Sequence, residues 1–129
     1  IDKTFYEKTY AQNQILGRAL LESILFMDGK CIFTCLTKKI MDFHGVKPKD
    51  LEGIVSQLRV TEGVEGAIFL YQTDEQEFKV SLRASGDVDV SKVAQKFGGG
   101  GHKKAAGVTM KGTMHEIINN LSEQICAQL

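Results

Sequence analysis

Gly66-Ala67-Ile68-Phe69-Leu70-Tyr71-Gln72, Thr73-Asp74-Glu75-Gln76 and Glu77-Phe78-Lys79-Val80-Ser81-Leu82-Arg83-Ala84-Ser85 follow one another and read as a β-hairpin, which decides the fold. The first run is apolar nearly throughout, and the polar tetrapeptide has a suitable length for the connection. In the second run apolar and polar residues alternate. Successive side chains of a strand leave on opposite faces, so Phe78, Val80 and Leu82 go to the core while Lys79, Ser81 and Arg83 share the other face. Arg83 is therefore a candidate ligand residue, because a planar guanidinium can hold two phosphate oxygens at once. An ordinary exposed arginine on a half-solvated sheet fits the pattern equally. Phe69 and Tyr71 lie in the apolar run and read as core packing rather than as platforms for a base.

Around the hairpin, helices and strands alternate. Ile15, Leu16, Ala19, Leu20 and Ile24 recur at helical spacing, which predicts a first helix from about Ala11 to Phe26, stopped by Asp28-Gly29. Lys30 to Leu36 reads as a buried strand, and Thr37 as the cap of a short helical segment before Gly45. Pro48 suits a first helical position, and Leu51, Ile54, Val55 and Leu58 then fall on one face of a second substantial helix. Asp89 caps a helix through Phe97, Val108-Thr109-Met110 reads as a strand, and Thr113 with Glu116 forms a capping box for a last helix. The expected fold class is α/β, a mixed sheet of about four or five strands flanked by helices.

The last helix-to-strand connection is Gly98-Gly99-Gly100-Gly101-His102-Lys103-Lys104-Ala105-Ala106-Gly107. Glycine lets a ligand approach the main chain, successive N–H groups can converge on an anion, and His102, Lys103 and Lys104 can add charge. Neither familiar phosphate loop fits. A Walker A loop needs Gly-Lys followed by Ser or Thr, and the dinucleotide fingerprint needs a glycine where Lys103 stands. A flexible linker continues in Gly, Ser or Pro, whereas Phe97 and Ala105-Ala106 bracket this run. Residues His102 to Ala106 are expected to start a helical turn whose N-terminus faces the anion.

Composition bounds what such a site belongs to. The 129 residues are one domain's worth, with 43% hydrophobic and 25% charged residues and a single proline, as in an ordinary globular chain. No apolar run is long enough to cross a bilayer, and no charged-then-apolar leader is present, which points to a cytoplasmic location and no membrane partner. Cys31, Cys35 and Cys126 are an odd number of thiols and are expected reduced. Cys31 and Cys35 share one side of a strand but lack a second ligand pair, so they read as buried cysteines rather than a zinc site. The net charge of zero hides an asymmetry. Phe78 to Lys111 holds Lys79, Arg83, Lys92, Lys96, Lys103, Lys104 and Lys111 against Asp87 and Asp89, which is 7 − 2 = +5 and suits a phosphorylated or nucleic-acid ligand.

Val80-Ser81-Leu82-Arg83-Ala84-Ser85, Val88-Asp89-Val90, and Ala94-Gln95-Lys96-Phe97 running into Gly98–Gly107 together resemble the DHHA1 domain of the DHH phosphoesterase superfamily. Within it the glycine motif is most similar to the bifunctional oligoribonucleases and pAp phosphatases, the nanoRNases. The resemblance covers most of the chain and is weakest in the first helix. It implies that an N-terminal DHH domain of the same parent protein holds two divalent metals, usually manganese, and hydrolyses phosphoesters while the DHHA1 domain grips the substrate. Asp42-Phe43-His44 carries one acid and one histidine, and His44, His102 and His115 are scattered, so no binuclear site is expected and no catalytic or metal-binding residue is assigned. The chain alone is expected to be inactive and to bind no cofactor. Residues 1–129 are expected to be a single DHHA1-like domain, with 1–10 the remnant of an interdomain linker.

By the same resemblance, Arg83 binds a substrate phosphate or the adjacent sugar, His102 hydrogen-bonds phosphate, and Gly98, Gly99, Gly100 and Gly101 let the loop approach the nucleotide. Lys103 and Lys104 are the less defined members. The implied ligand is short RNA or a small nucleotide such as pAp. A non-catalytic single-stranded nucleic-acid or tRNA-binding module of the DHHA1 type is the competing reading, and a structural or dimerising domain the third. The oligomeric state is left open, a homodimer included.

Overall fold

The computed structural model describes residues 7–129; Ile1 to Tyr6, most of the segment expected to be a linker remnant, lie outside the described residues. Helix α1 (Tyr10–Leu21) opens on a capping box in which the Thr9 hydroxyl accepts from the Gln12 N–H at 3.0 Å and the Gln12 carboxamide accepts from the Thr9 N–H at 2.9 Å. It ends at Leu21, short of the expected Phe26. Ile24, Leu25 and Phe26 instead form strand β1 (Ile24–Phe26), antiparallel to β2 (Cys31–Leu36) across a turn in which Met27, Asp28 and Gly29 all take positive φ. Three consecutive apolar residues beside a hairpin turn pair with Phe33, Ile32 and Cys31 rather than extend the helix.

From β2 the chain crosses to β3 (Gly66–Asp74), which pairs parallel to it, by way of α2 (Lys38–His44), a 3-10 turn (Pro48–Leu51) and α3 (Ile54–Arg59). Thr37 caps α2 and Gly45 ends it in the left-handed region. The expected second helix is thus two pieces, broken where Gly53 takes φ +95°. Strands β3 and β4 (Glu77–Ala84) form the hairpin read from the sequence, with Leu70 opposite Val80 and Ala67 opposite Arg83. Helix α4 (Val90–Lys96) is capped by Asp89, and β5 (Gly100–His102), β6 (Ala105–Lys111) and α5 (Met114–Cys126) complete the chain. The Thr113–Glu116 capping box forms as expected.

The six strands make one mixed sheet in the order β1-β2-β3-β4-β6-β5. That is one or two more than the expected four or five, and the two edge strands, β1 and β5, are three residues each. The helix expected over His102 to Ala106 is absent: those residues are the end of β5, a turn at Lys103-Lys104 and the start of β6, where Gly101 pairs with Ala106 and His102 with Ala105. Ala106, Val108 and Met110 alternate into the core, so the strand period extends back into the motif.

Each face of the sheet has its own core. On one, Ile68, Leu70, Phe78, Val80, Leu82, Ala106, Val108 and Met110 pack with Val90, Val93 and Ala94 of α4 and Ile117, Leu121 and Ile125 of α5. On the other, Ile32, Leu36, Ala67 and Phe69 pack under Ile15 and Ala19 of α1, Met41 of α2 and Ile54, Val55 and Leu58 of α3. Buried Thr34 ties this layer together by donating to the Ala19 carbonyl at 2.7 Å. Each large side chain fully buried in this way contributes about 1.5–3 kcal/mol. The second core stops at β3. Beyond it the start of α3 reaches only β4, and β6 and β5 carry no helix on that face.

Candidate functional site

The uncovered half of the sheet is where the sequence-predicted residues meet. In an antiparallel pair, directly opposed residues point to the same face. Arg83 of β4 opposes Ala105 of β6, which opposes His102 of β5; Ser81 opposes Gly107, which opposes Gly100. Arg83 and His102 therefore stand on one open face about 10 Å apart across the strands, with Ala105, Gly107 and Gly100 as a low floor between them. Arg83 is half-buried and His102 exposed.

Arg83 Nη1 donates to the carbonyl of its neighbour Leu82 at 3.0 Å. Arg18–Glu22 is the single ion pair among the described residues, so none of their carboxylates neutralises the Arg83 guanidinium. A half-buried, unneutralised guanidinium beside small residues is suited to bind an anion.

The four glycines are not equivalent. Gly98 takes φ +90° as the chain leaves α4. A Cβ at Gly99 would lie 2.5 Å from Val108 Cβ, and one at Gly101, where φ is +150°, would lie 2.5 Å from the Ala105 carbonyl oxygen. These three serve the chain's own path. Gly100 has nothing within 4 Å of a Cβ position and faces the open trough. Gly98 has the same open space but needs its positive φ, so Gly100 is the one of the four that neither the backbone angle nor a protein contact requires.

The lysines also divide. The Lys104 ammonium donates to the Gly86 carbonyl, while the Lys103 side chain is exposed and makes no hydrogen bond to the described residues. Their main chains fix the turn: Val90 N–H donates to the Lys103 carbonyl at 2.9 Å and Ala84 N–H to the Lys104 carbonyl at 3.0 Å. The tip of the motif is thereby tied to the end of β4 and the start of α4. That start is held in turn by Gln128, whose carboxamide accepts from Asp89 N–H at 2.7 Å and donates to the Asp89 carbonyl at 3.0 Å. Hydrogen bonds from the Ser91 hydroxyl, then from the Lys92 and Ser91 N–H groups, hold the Asp89 carboxyl below the usual carboxylate range.

The basic segment from Phe78 to Lys111 does not form one patch. Lys79 and Arg83 share the open face, Lys103 and Lys104 cap the hairpin turn, Lys92 and Lys96 belong to α4 against the opposite face, and Lys111 ends β6. Cys31 is buried and Cys35 half-buried, each thiol pushed up to about 11, chiefly by desolvation; Cys126 is exposed. His44 ends α2 and meets Arg18 Nη1 at 3.3 Å, and His115 is exposed in the first turn of α5. Among the described residues no three His, Cys, Asp or Glu side chains come together to hold a metal ion, and the residues present do not fit a binuclear centre. Among them, too, no helix is long and apolar enough to cross a membrane.

Sequence reasoning missed one component. Phe69 is core, as expected, but Tyr71 is half-buried and lines a groove with Lys79, Ser81 and Arg83 on one side and the Pro48–Ser56 segment on the other. The visible signal was the shared face of Lys79, Ser81 and Arg83; the opposite wall arrives from a crossover remote in sequence.

Three known proteins are similar to this chain. The bifunctional oligoribonuclease and PAP phosphatase NrnA of Thermus thermophilus is 42% identical over 64 residues, which is 50% of this chain and 19% of that protein. An exopolyphosphatase-related protein of Bacteroides fragilis superposes with a TM-score of 0.87 at 25% identity, over 98% of this chain and 39% of that one. The pGpG-specific phosphodiesterase PggH of Vibrio cholerae has the same fold, with a TM-score of 0.64 at 14% identity over 92% of this chain and 40% of that one. The chain thus spans less than half the length of each. From the turn before β2 to the end of α5, residues 28–128 match the DHHA1 domain, and the chain belongs to that family.

Proposed function

We propose that this chain is the substrate-recognition domain of a DHH phosphoesterase that acts on short RNA and on small nucleotides such as pAp. The observation that carries the reading is the register that sets unneutralised Arg83 and exposed His102 on one open face, with Ala105, Gly107 and Gly100 between them. The name of the Thermus relative supports the substrate class. The Arg83 fork takes two oxygens of a substrate phosphate, and His102 donates a hydrogen bond to the same or the adjacent phosphate. The small floor admits the sugar, with Gly100 allowing the closest approach. Lys103 adds long-range attraction, and Lys104, held on Gly86, serves mainly to fix the turn. Hydrolysis belongs to an N-terminal DHH domain of the parent protein and to the divalent metals, manganese in this reading, that such a domain holds. This chain binds and orients; it performs no bond cleavage by itself and works in the cytoplasm.

Titration of the chain with pAp by calorimetry tests the reading. The native chain binds, affinity falls as salt rises because phosphate contacts release counterions, and Arg83→Ala weakens binding about tenfold or more. His102→Ala weakens it less. Equal affinity in the native chain and Arg83→Ala would overturn the assignment. Equal affinity for an unphosphorylated single strand would favour the general nucleic-acid module instead.

A further inference from the structure

Strand β1 is an edge of the sheet, with β2 as its one neighbour among the described residues. The Met27 carbonyl accepts from Lys30 N–H across the turn. Antiparallel pairs alternate from there, so Leu25 turns its N–H and C=O toward β2 while those of Ile24 and Phe26 point outward. Among the described residues no turn or loop group bonds them. The side chains are apolar on both faces. Ile24, opposite Phe33, is 52% exposed beside Phe26, whose ring stands edge to face with Phe33 at 5.7 Å between centroids. On the other face Leu25, opposite Ile32, is 55% exposed, and Leu21 at the end of α1 is 86% exposed. Sheet edges are ordinarily guarded by lysine, proline or inward charges, and Ile24-Leu25-Phe26 has none of these. The opposite edge, β5, is Gly100-Gly101-His102 and offers no apolar side chain.

We infer that β1 pairs with β1 of a second copy of this chain, joining two sheets across a two-fold axis at Leu25. The segment is complementary to itself in that register. Ile24 opposes Phe26 of the second copy, where the outward N–H and C=O groups of both find partners, and Leu25 opposes its own counterpart in the closer, non-hydrogen-bonded position. The flanking pair, Ser23 against Met27, carries no charge. Pairing consumes the apolar edge of both copies, so the assembly closes as a dimer instead of growing. A different segment would have to match an antiparallel strand and apolar contacts on both faces at once; a second copy supplies these with no further element. The face bearing Arg83 and His102 runs to β5, the far edge of the sheet, about 24 Å from β1, and stays free for ligand and for the rest of the parent protein. The surface removed from water is on the order of 1,000 Å² over the two copies, the small end of specific interfaces. The dimer is therefore reversible, with a Kd on the order of 10 µM.

Sedimentation equilibrium of the chain from about 1 to about 300 µM, a range that brackets this affinity, tests the pairing. In the native chain the average mass rises from 14.3 kDa toward twice that value, and dilution reverses it. Leu25→Glu sets two carboxylates against each other at the axis; Leu25 is exposed and outside both cores, so the variant folds. It stays monomeric throughout, a loss of about thirtyfold or more in dimer affinity. Leu25→Cys in a Cys126→Ser background reads the position: directly opposed, non-hydrogen-bonded residues lie close enough for a disulfide, and oxidation by a small disulfide reagent links two copies through residue 25. A native chain that remains at 14.3 kDa would overturn the inference and leave the edge to another segment of the parent protein. A dimer that Leu25→Glu leaves intact and Leu25→Cys does not link would overturn β1 as its seat. None of these outcomes depends on nucleotide binding.

Discussion

The two faces of β4 and β6 use the same strands in opposite ways. Inward, Phe78, Val80, Leu82, Ala106, Val108 and Met110 are nearly solvent-free against α4 and α5. Outward, Lys79, Ser81, Arg83, Ala105, Gly107 and Thr109 lie outside the second core, and only the start of α3 approaches the β4 set across a groove. The period of two that buries one set exposes the other. The contrast teaches that stability and recognition are separable here: the packed face holds the strands in register, and the register sets Arg83 across from His102.

The separation is sharpest in its largest expected effect. Leu82→Ala, at a position with 0% exposure, lowers stability by about 2–5 kcal/mol in denaturant unfolding, while the fraction that stays folded binds nucleotide as the native chain does. The reverse pattern for Leu82 would break the comparison. Next is a pair within the motif. Gly101→Ala forces a methyl against the Ala105 carbonyl at a backbone angle that L-residues avoid, and costs on the order of 2 kcal/mol or more. Gly100→Ala, facing open space, changes stability by less than about 0.5 kcal/mol yet weakens pAp binding. Arg83→Ala belongs with Gly100→Ala: it affects ligand affinity, with thermal stability shifted little.

The pH dependence of thermal unfolding is the next test of the packed side. Burial keeps the Cys31 and Cys35 thiols neutral in the folded chain up to about 11, whereas a free thiol ionises near 9.0. A raised folded value means that stability is fully present below about pH 9 and declines as pH rises toward 11; Cys35→Ser flattens that limb. The smallest effect lies at the acid end. Asp89 and Glu116 have lowered folded values, from hydrogen bonds to Ser91 and to Thr113 respectively. Their contribution is present above the usual carboxylate range and is lost as pH falls through and below it. Asp89→Asn and Glu116→Gln reduce the acid slope of the melting temperature.

What was legible in the sequence was local. The β3–β4 hairpin, the Asp89 and Thr113 caps and the stripe of α5 follow from periodicity and capping chemistry within a few residues. Strands β1 and β5 were not legible, because three residues carry no period and each exists by pairing with a neighbour. The motif misled for a related reason. His102 to Ala106 has cationic and small residues with no apolar spacing, and what makes it a hairpin is the fit of Gly99 and Gly101 against β6. Of the site, Arg83 could be placed on a face from alternation alone. Its meeting with His102 depends on strand order, and the groove wall at Pro48 depends on the crossover, neither of which leaves a trace in adjacent residues.

Backbone amide NMR of the chain during titration with pAp tests the central claim most directly. Nucleotide recognition by the open face predicts shifts confined to Arg83 and its β4 neighbours, Gly98–Ala105 and Gly107, and a marked loss of those shifts in Arg83→Ala. Shifts centred on α4 and α5, or no localised shifts at millimolar ligand, would contradict it.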